Sequence, residues 1–399
     1  MIYQHRLASV LCVAALVPVL ASDAETLGAH CEPLSPLAGE VAAADAAAER
    51  AFCDIVFDRA SIALCPKTWS TSPAALVYDL VGSDWQGRSA AFEAEVCPRG
   101  GSARESASRE LAFFKNSLNG SDTSGTFAPA SLLYYHFSRY LQTRVQVPVA
   151  VPVSFAIGPY RERIVAPGVS ASTGGHAKML HAGWLEMERA LGDPATYRHR
   201  RELFDSEGTR LRGVLLLEDG HRYGPEINGT RVSGWGEGQN RDFQRTAPFI
   251  ALRADNTLDK SITRGLLEAR RDPAMAPALP AGVSPAQVAW WMHELTEIVL
   301  LDYILGQQDR IGNIDYLQRW VWLEDGALRQ SEQRGSPQAR KLRVSVLNDN
   351  DAAARSGYAN YARSTGMLEG WFHMDPDLYR QVQALACLLY TSDAADDRR

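Results

Sequence analysis

The chain has 399 residues, 46% hydrophobic and 22% charged, which excludes a disordered, collagen-like or coiled-coil protein. With 41 Lys and Arg against 47 Asp and Glu the formal charge is −6, so nothing global points to nucleic acid or an anionic membrane as a partner. The length allows two or three domain-sized units or one two-lobed enzyme.

In chain order, His5 and Arg6 precede an apolar run over 7–20 and a cut site after Ala21, which together predict an export signal over 1–21. The run is shorter than the roughly 20 residues a membrane-spanning helix needs, and no later stretch is long and apolar enough to span. Residues 22–70 are Ala-rich and read as an N-terminal extension, with a helix over 41–59. Strands are expected over 74–80, 89–97 and 110–116, the first followed by a turn signal at 82–87 and the second called on its alternation. A helix over 129–141 and strands over 145–155 and 212–217 follow.

The second half changes character. Polar irregular sequence at 219–245 leads to a helix over 262–271. The strongest helical pattern runs over 285–305, with Ser284 as N-cap and Pro285 at the first helical position. A polar loop at 306–314, strands over 316–323 and 341–347 and the acidic turn Asn348-Asp349-Asn350-Asp351 come next. A helix over 377–385 is followed by a stretch from 387 that breaks its pattern and is expected to be foreign to the fold. The expected organisation is a signal peptide (1–21), the extension (22–70), a β-rich N-lobe (71–218), a mainly helical C-lobe (219–386) and the tail (387–399). The expected fold class is α+β, in the two-lobed layout of a protein kinase.

Six cysteines are present: Cys12, Cys31, Cys53, Cys65, Cys97 and Cys387. Setting aside the signal and the tail leaves four, an even number that predicts two disulfides in an exported, periplasmic or extracellular chain. Three pairings are open.

Phosphoryl transfer asks a protein mainly for positioning and charge neutralisation. It needs a cation for the phosphates, a carboxylate at the acceptor hydroxyl and oxygen ligands for Mg²⁺ or Mn²⁺. Lys115 closes a strand just before a helix. Asp309 and Asn313 stand four residues apart after a buried helix, spaced so that one can face a hydroxyl and the other a metal. Asp349 ends an apolar strand and is the second metal carboxylate.

The run Leu301-Asp302-Tyr303-Ile304-Leu305-Gly306-Gln307-Gln308-Asp309-Arg310-Ile311-Gly312-Asn313 resembles the catalytic loop of the atypical kinases. These are the phosphatidylinositol 3-/4-kinases, the HipA-type bacterial kinases and the four-jointed family of secretory-pathway kinases. Residues 130–141, followed by Val147-Pro148-Val149, are similar to the secretory kinases' regulatory helix and the strand after it. The resemblance covers about residues 74–385, poorly between 160 and 280. It implies ATP with Mg²⁺ or Mn²⁺, Lys115 on the nucleotide, Asp309 as catalytic carboxylate, Asn313 and Asp349 on metal, and a hydroxyl acceptor on a protein, glycan or lipid. Three positions depart from the pattern. Ile311 replaces a His, Asp351 replaces a Gly, and Ser131 stands where the helix Glu that pairs with the lysine belongs. Asp122, Glu93 or Glu95 would then have to orient Lys115. The alternative expectation is a non-catalytic, pseudokinase-like binding protein.

Overall fold

The computed structural model describes residues 26–36, 45–173, 178–280 and 282–396, with side chains through Ala386. The export segment expected over 1–21 lies outside the described residues. The protein is mixed α+β with antiparallel sheets.

The first half contributes β1 (His30–Cys31), α1 (Ala46–Cys53), β2 (Ile62–Pro66), β3 (Ala74–Asp79), α2 (Ser89–Glu95), β4 (Arg109–Lys115), α3 (Pro129–Tyr140), β5 (Ala150–Ala156), α4 (Lys178–Gly192) and β6 (Arg210–Leu216). Its six strands order as β1-β5-β6-β4-β3-β2. The described part of 22–70 therefore supplies both edge strands. Side chains alternate across the sheet with a period of two. Leu64, Val77, Ala112 and Phe114 pack with Trp184 of α4, while Ala63, Leu76, Tyr78 and Phe113 pack with Phe92 of α2. With both faces covered, β2, most of β3 and the second half of β4 are continuously apolar rather than alternating. Gly213 lets β6 cross β4 closely: a Cβ there would meet the Lys115 carbonyl oxygen at 2.5 Å.

One expected strand is a helix. Residues 89–97 alternate in sequence, but Ala90, Ala91 and Ala94 carry little facial information and favour a helix. The segment forms α2, lays the fully buried Phe92 on the sheet and is tied back by a Cys65–Cys97 disulfide. The second pair is Cys31–Cys53, and the Cα atoms stand 5.1 and 5.2 Å apart respectively. Pairing expected over 145–149 is also redirected. Gln146 exchanges backbone hydrogen bonds with Ser345 and Leu347 of the second half, and β5 starts only at Ala150.

The second half contributes β7 (His221–Arg222), α5 (Ala247–Leu252), α6 (Leu258–Arg271), α7 (Pro285–Leu305), β8 (Ile314–Glu324), β9 (Ala327–Ser331), β10 (Arg340–Leu347) and α8 (Pro376–Asp396). Strands pair as β10-β8-β7, with β9 on β8. Helix α7 starts where the sequence places it: the Ser284 side chain accepts the Gln287 N–H. It ends on Gly306 in the left-handed region, φ 64°, where a Cβ is disfavoured. Buried residues surround its whole circumference, and α5, α6 and β10 pack against it. The backbone of α8 runs through the segment expected to break its pattern.

Candidate active site

Three strand ends meet at one place. β4 ends on Lys115, β6 runs out into Glu218, and β10 runs out into the turn from Asn348 to Asp351. Lys115 is fully buried at the meeting point. Its ammonium contacts Glu218 Oε1 at 2.7 Å, Asp349 Oδ1 at 2.9 Å and Asp351 Oδ1 at 3.7 Å. Burial alone would push this ammonium toward neutrality, but the three carboxylates outweigh it and hold its pKa well above the ordinary lysine value. In return Lys115 holds the half-buried Asp349 carboxylate below its usual range.

The acidic turn is pinned residue by residue. Asn348 Nδ2 donates to Asp315 Oδ2 at 2.7 Å, and the Asp349 N–H donates to Glu218 Oε1 at 2.9 Å. Asn350 Oδ1 accepts from Arg310 Nη2 at 2.7 Å, and the Asp351 carbonyl accepts the Phe127 N–H just before α3. Asp349 itself has φ 50°, a conformation that Asp adopts more readily than most residues.

The 306–313 loop is held from beneath. Arg310, 4% exposed, contacts both oxygens of Asp302 at 3.1 Å or just over, and reaches the Asn348 carbonyl. Tyr134 of α3 donates its hydroxyl to the same Asp302 at 2.6 Å. Asn313 Nδ2 donates to the Asp309 carbonyl at 2.7 Å, and the Gly312 N–H donates to Asn228 Oδ1 at 2.9 Å. The polar segment around Asn228 thus props the loop from below. Asp309 is half-buried, and its carboxyl is pushed up to about 6 by burial and by the neighbouring charge of Asp349. A hydrogen bond from Trp235 works the other way.

Asn313 Oδ1 faces Arg222, whose Nη1 donates to it at 2.6 Å. The same guanidinium contacts Asp315 at 2.6 Å and lies 4.0 Å from Asp349 Oδ2. A cationic side chain therefore occupies the space between the amide and carboxylate oxygens expected to hold metal. Those hard oxygen donors fit Mg²⁺ or Mn²⁺. Among the described residues no group of three His, Cys, Asp or Glu forms a metal-holding cluster.

Beside this constellation opens a cleft of about 600 Å³, lined by Trp69, Phe113, Glu218, Arg222, Asp315 and Asp349; Lys115, Asp309 and Asn313 are not among its lining residues. A larger groove of about 750 Å³ runs between Phe127, Leu132 and Val153, and none of Lys115, Asp309, Asn313 and Asp349 lines it.

Of the expected residues, Lys115 and Asp349 are in direct contact, Asp309 and Asn313 share one loop, and Asn313 joins Asp349 through Arg222. Ser131 is buried in α3, and among the described residues its hydroxyl has no hydrogen-bond partner. None of the carboxylates expected to orient Lys115 is on it: Glu93 pairs with Arg163, and the lysine contacts Glu218, Asp349 and Asp351 instead. Sequence reasoning also missed Arg222 and the contact of Asp351. The apolar run of β6 ending abruptly in Glu218-Asp219 was the one local signal available. Comparison with protein-family models, curated proteins and solved structures finds no match for the chain.

Proposed function

We propose that the chain is an exported atypical kinase of two lobes that transfers a phosphoryl group from ATP to a hydroxyl acceptor. The observation that carries this reading is the 2.9 Å contact between Lys115 and Asp349, residues 234 apart in sequence, beside a cleft of nucleotide size. Further support comes from the antiparallel order β2-β3-β4-β6-β5, with helix α3 directly after the lysine strand β4; this resembles a kinase N-lobe, with α2 added between β3 and β4 and α4 between β5 and β6. The two disulfides support export.

Asn313 Oδ1 and the Asp349 carboxylate would hold Mg²⁺ or Mn²⁺, which neutralises charge on the phosphates when bound. Lys115 contacts phosphate oxygens while Glu218 keeps it oriented. Asp309 aligns the acceptor hydroxyl and receives its proton as the acceptor oxygen bonds to the γ-phosphorus. The bond from that phosphorus to the bridging oxygen breaks, and ADP leaves. The acceptor is a hydroxyl of a protein, a glycan or a lipid headgroup.

One observation favours a second reading, a non-catalytic nucleotide-binding protein. Arg222 already supplies a positive charge between Asn313 and Asp349 and can substitute for metal.

Thermal stabilisation of the disulfide-intact protein by ATP, with and without Mg²⁺ or Mn²⁺, tests the site, with Asp349→Ala as control. A ligand at 100 times its Kd adds about 2.7 kcal/mol. A metal-dependent shift lost in Asp349→Ala, with ADP released in the presence of acceptors, supports the kinase. A shift indifferent to metal that becomes metal-dependent in Arg222→Ala supports the second reading. No shift with any nucleotide rejects both.

A further inference from the structure

The groove of about 750 Å³ beside α3 has no part in the chemistry proposed above. Its floor is the sheet face that carries Pro152 and Ser154 of β5 and Arg212 and Val214 of β6, because alternate residues of a strand share a face. Register sets these side chains in rows. His30 of β1 stands opposite Ser154, and Ser154 stands opposite Arg212. In the next row on this face Pro152 stands opposite Val214. A polar row and an apolar row are thus two residues apart, about 7 Å along β6.

The apolar row is walled by α3 and the segment before it. Val214 packs fully buried with Ala128, whereas Phe127, Pro129 and Leu132 are only half-buried. Leu34 also lines the groove and is 47% exposed. Contiguous apolar surface left open in this way marks an interaction site, and the volume is that of a small-ligand pocket.

The polar row carries net positive charge. Arg212 is exposed, and Arg201 joins it from the segment that the Phe204–Leu211 bridge fastens to β6. Both line the groove, and among the described residues neither makes an ion pair. Two carboxylates line it as well. Glu202 is already matched by Arg355 and by Asn119, each at 3.0 Å, which leaves Glu32 alone against two guanidiniums. The Ser154 hydroxyl is taken by Arg210 at 2.9 Å, so contacts to a ligand fall to the two arginines.

We infer that the groove binds a free long-chain carboxylate. The chain lies over Pro152 and Val214 against Leu132 and Phe127, and the head group pairs with Arg212 and Arg201. None of Lys115, Asp309, Asn313 and Asp349 lines the groove, so this site and the nucleotide site hold or fail separately.

Isothermal titration with monomeric laurate, decanoate and decanol tests the site on disulfide-intact wild type, Arg212→Met, Arg212→Lys and Leu132→Trp, with a melting curve for each. Laurate should bind more tightly than decanoate by about fourfold for each added methylene that is buried. Arg212→Met should lose about 10- to 100-fold for both acids, the worth of one charge-assisted hydrogen bond, and leave decanol unchanged. Arg212→Lys should recover part of the loss, and Leu132→Trp, which fills the apolar end, should abolish binding. If Leu132→Trp does not fold, the contrast between decanoate and decanol in Arg212→Met decides alone. No laurate binding by wild type, undiminished binding by folded Arg212→Met, or decanol bound as tightly as decanoate overturns the inference. Binding to phosphatidylglycerol vesicles without binding of monomeric laurate assigns the face to a membrane surface. A concentration-dependent dimer that Leu132→Trp disrupts assigns it to a second copy of the chain. Either result also overturns the inference.

Discussion

Glu218 Oε1 accepts the Lys115 ammonium at 2.7 Å and, from the other side, the Asp349 N–H at 2.9 Å. One carboxylate at the end of β6 thus joins the strand that carries the lysine to the turn that carries the expected metal ligand. In the proposed kinase reading it supplies the negative charge that the sequence lacks at Ser131 on α3.

Glu218→Ala should therefore weaken ATP binding by about tenfold or more, the worth of a charge-assisted contact, and lower the melting temperature. Ser131→Ala removes a buried hydroxyl that has no partner among the described residues and should leave both unchanged. Isothermal titration and thermal melts on the two variants check the contrast. Equal effects would return the orienting role to α3.

Asp309 should set the acidic limb of the activity profile. Its carboxyl, raised to about 6 by burial and by Asp349, must be ionised to receive a proton, so turnover should rise with pH through about 6. Because the folded pKa lies above the unfolded value, the proton stabilises the fold at low pH. That contribution is full below about 4 and lost as pH climbs through about 6. Asp309→Asn should abolish this slope in melts across pH 4–7 and reduce turnover by about 10²- to 10⁴-fold. An unchanged slope would locate the titrating group elsewhere.

The pair beneath the loop should be the most fragile point of the site. Arg310 and Asp302 are both buried and hydrogen-bonded to each other, so Arg310→Met leaves an uncompensated carboxylate and should cost about 3–5 kcal/mol. Tyr134→Phe removes one charge-assisted hydrogen bond and should cost about 1.5–3 kcal/mol. Denaturant unfolding of both variants and of the double variant checks the values, and coupling between them should exceed simple additivity error.

Each disulfide closes a loop of a few tens of residues, with sequence separations of 22 and 32, and should contribute about 3–4 kcal/mol. Only Cys65–Cys97 anchors β2, which pairs with β3 beside the lysine strand β4. Replacing that pair with Ser should weaken ATP binding beyond the effect of replacing Cys31 and Cys53, when both variants are titrated well below their melting temperatures.

What the sequence determined was local. Ser284, Pro285 and Gly306 bound α7 because caps act within a few residues, and the spacing of Asp309 and Asn313 puts them on one loop whatever surrounds it. The apolar run before Lys115 marks a strand end, since burial on both faces demands continuous apolar sequence, and Val346-Leu347 closes the strand before Asn348. An alternation of small residues misled at 89–95, where face assignment needs side chains large enough to prefer the core. Tertiary structure decided the rest. The choice among three cysteine pairings, Glu218 on Lys115, and Arg222 between Asn313 and Asp349 all depend on strand order and register. Lys115 meets Glu218 across 103 residues and Asp349 across 234. Contacts of that range are set by how sheets pair and helices cover them, and no periodicity in the sequence carries that information.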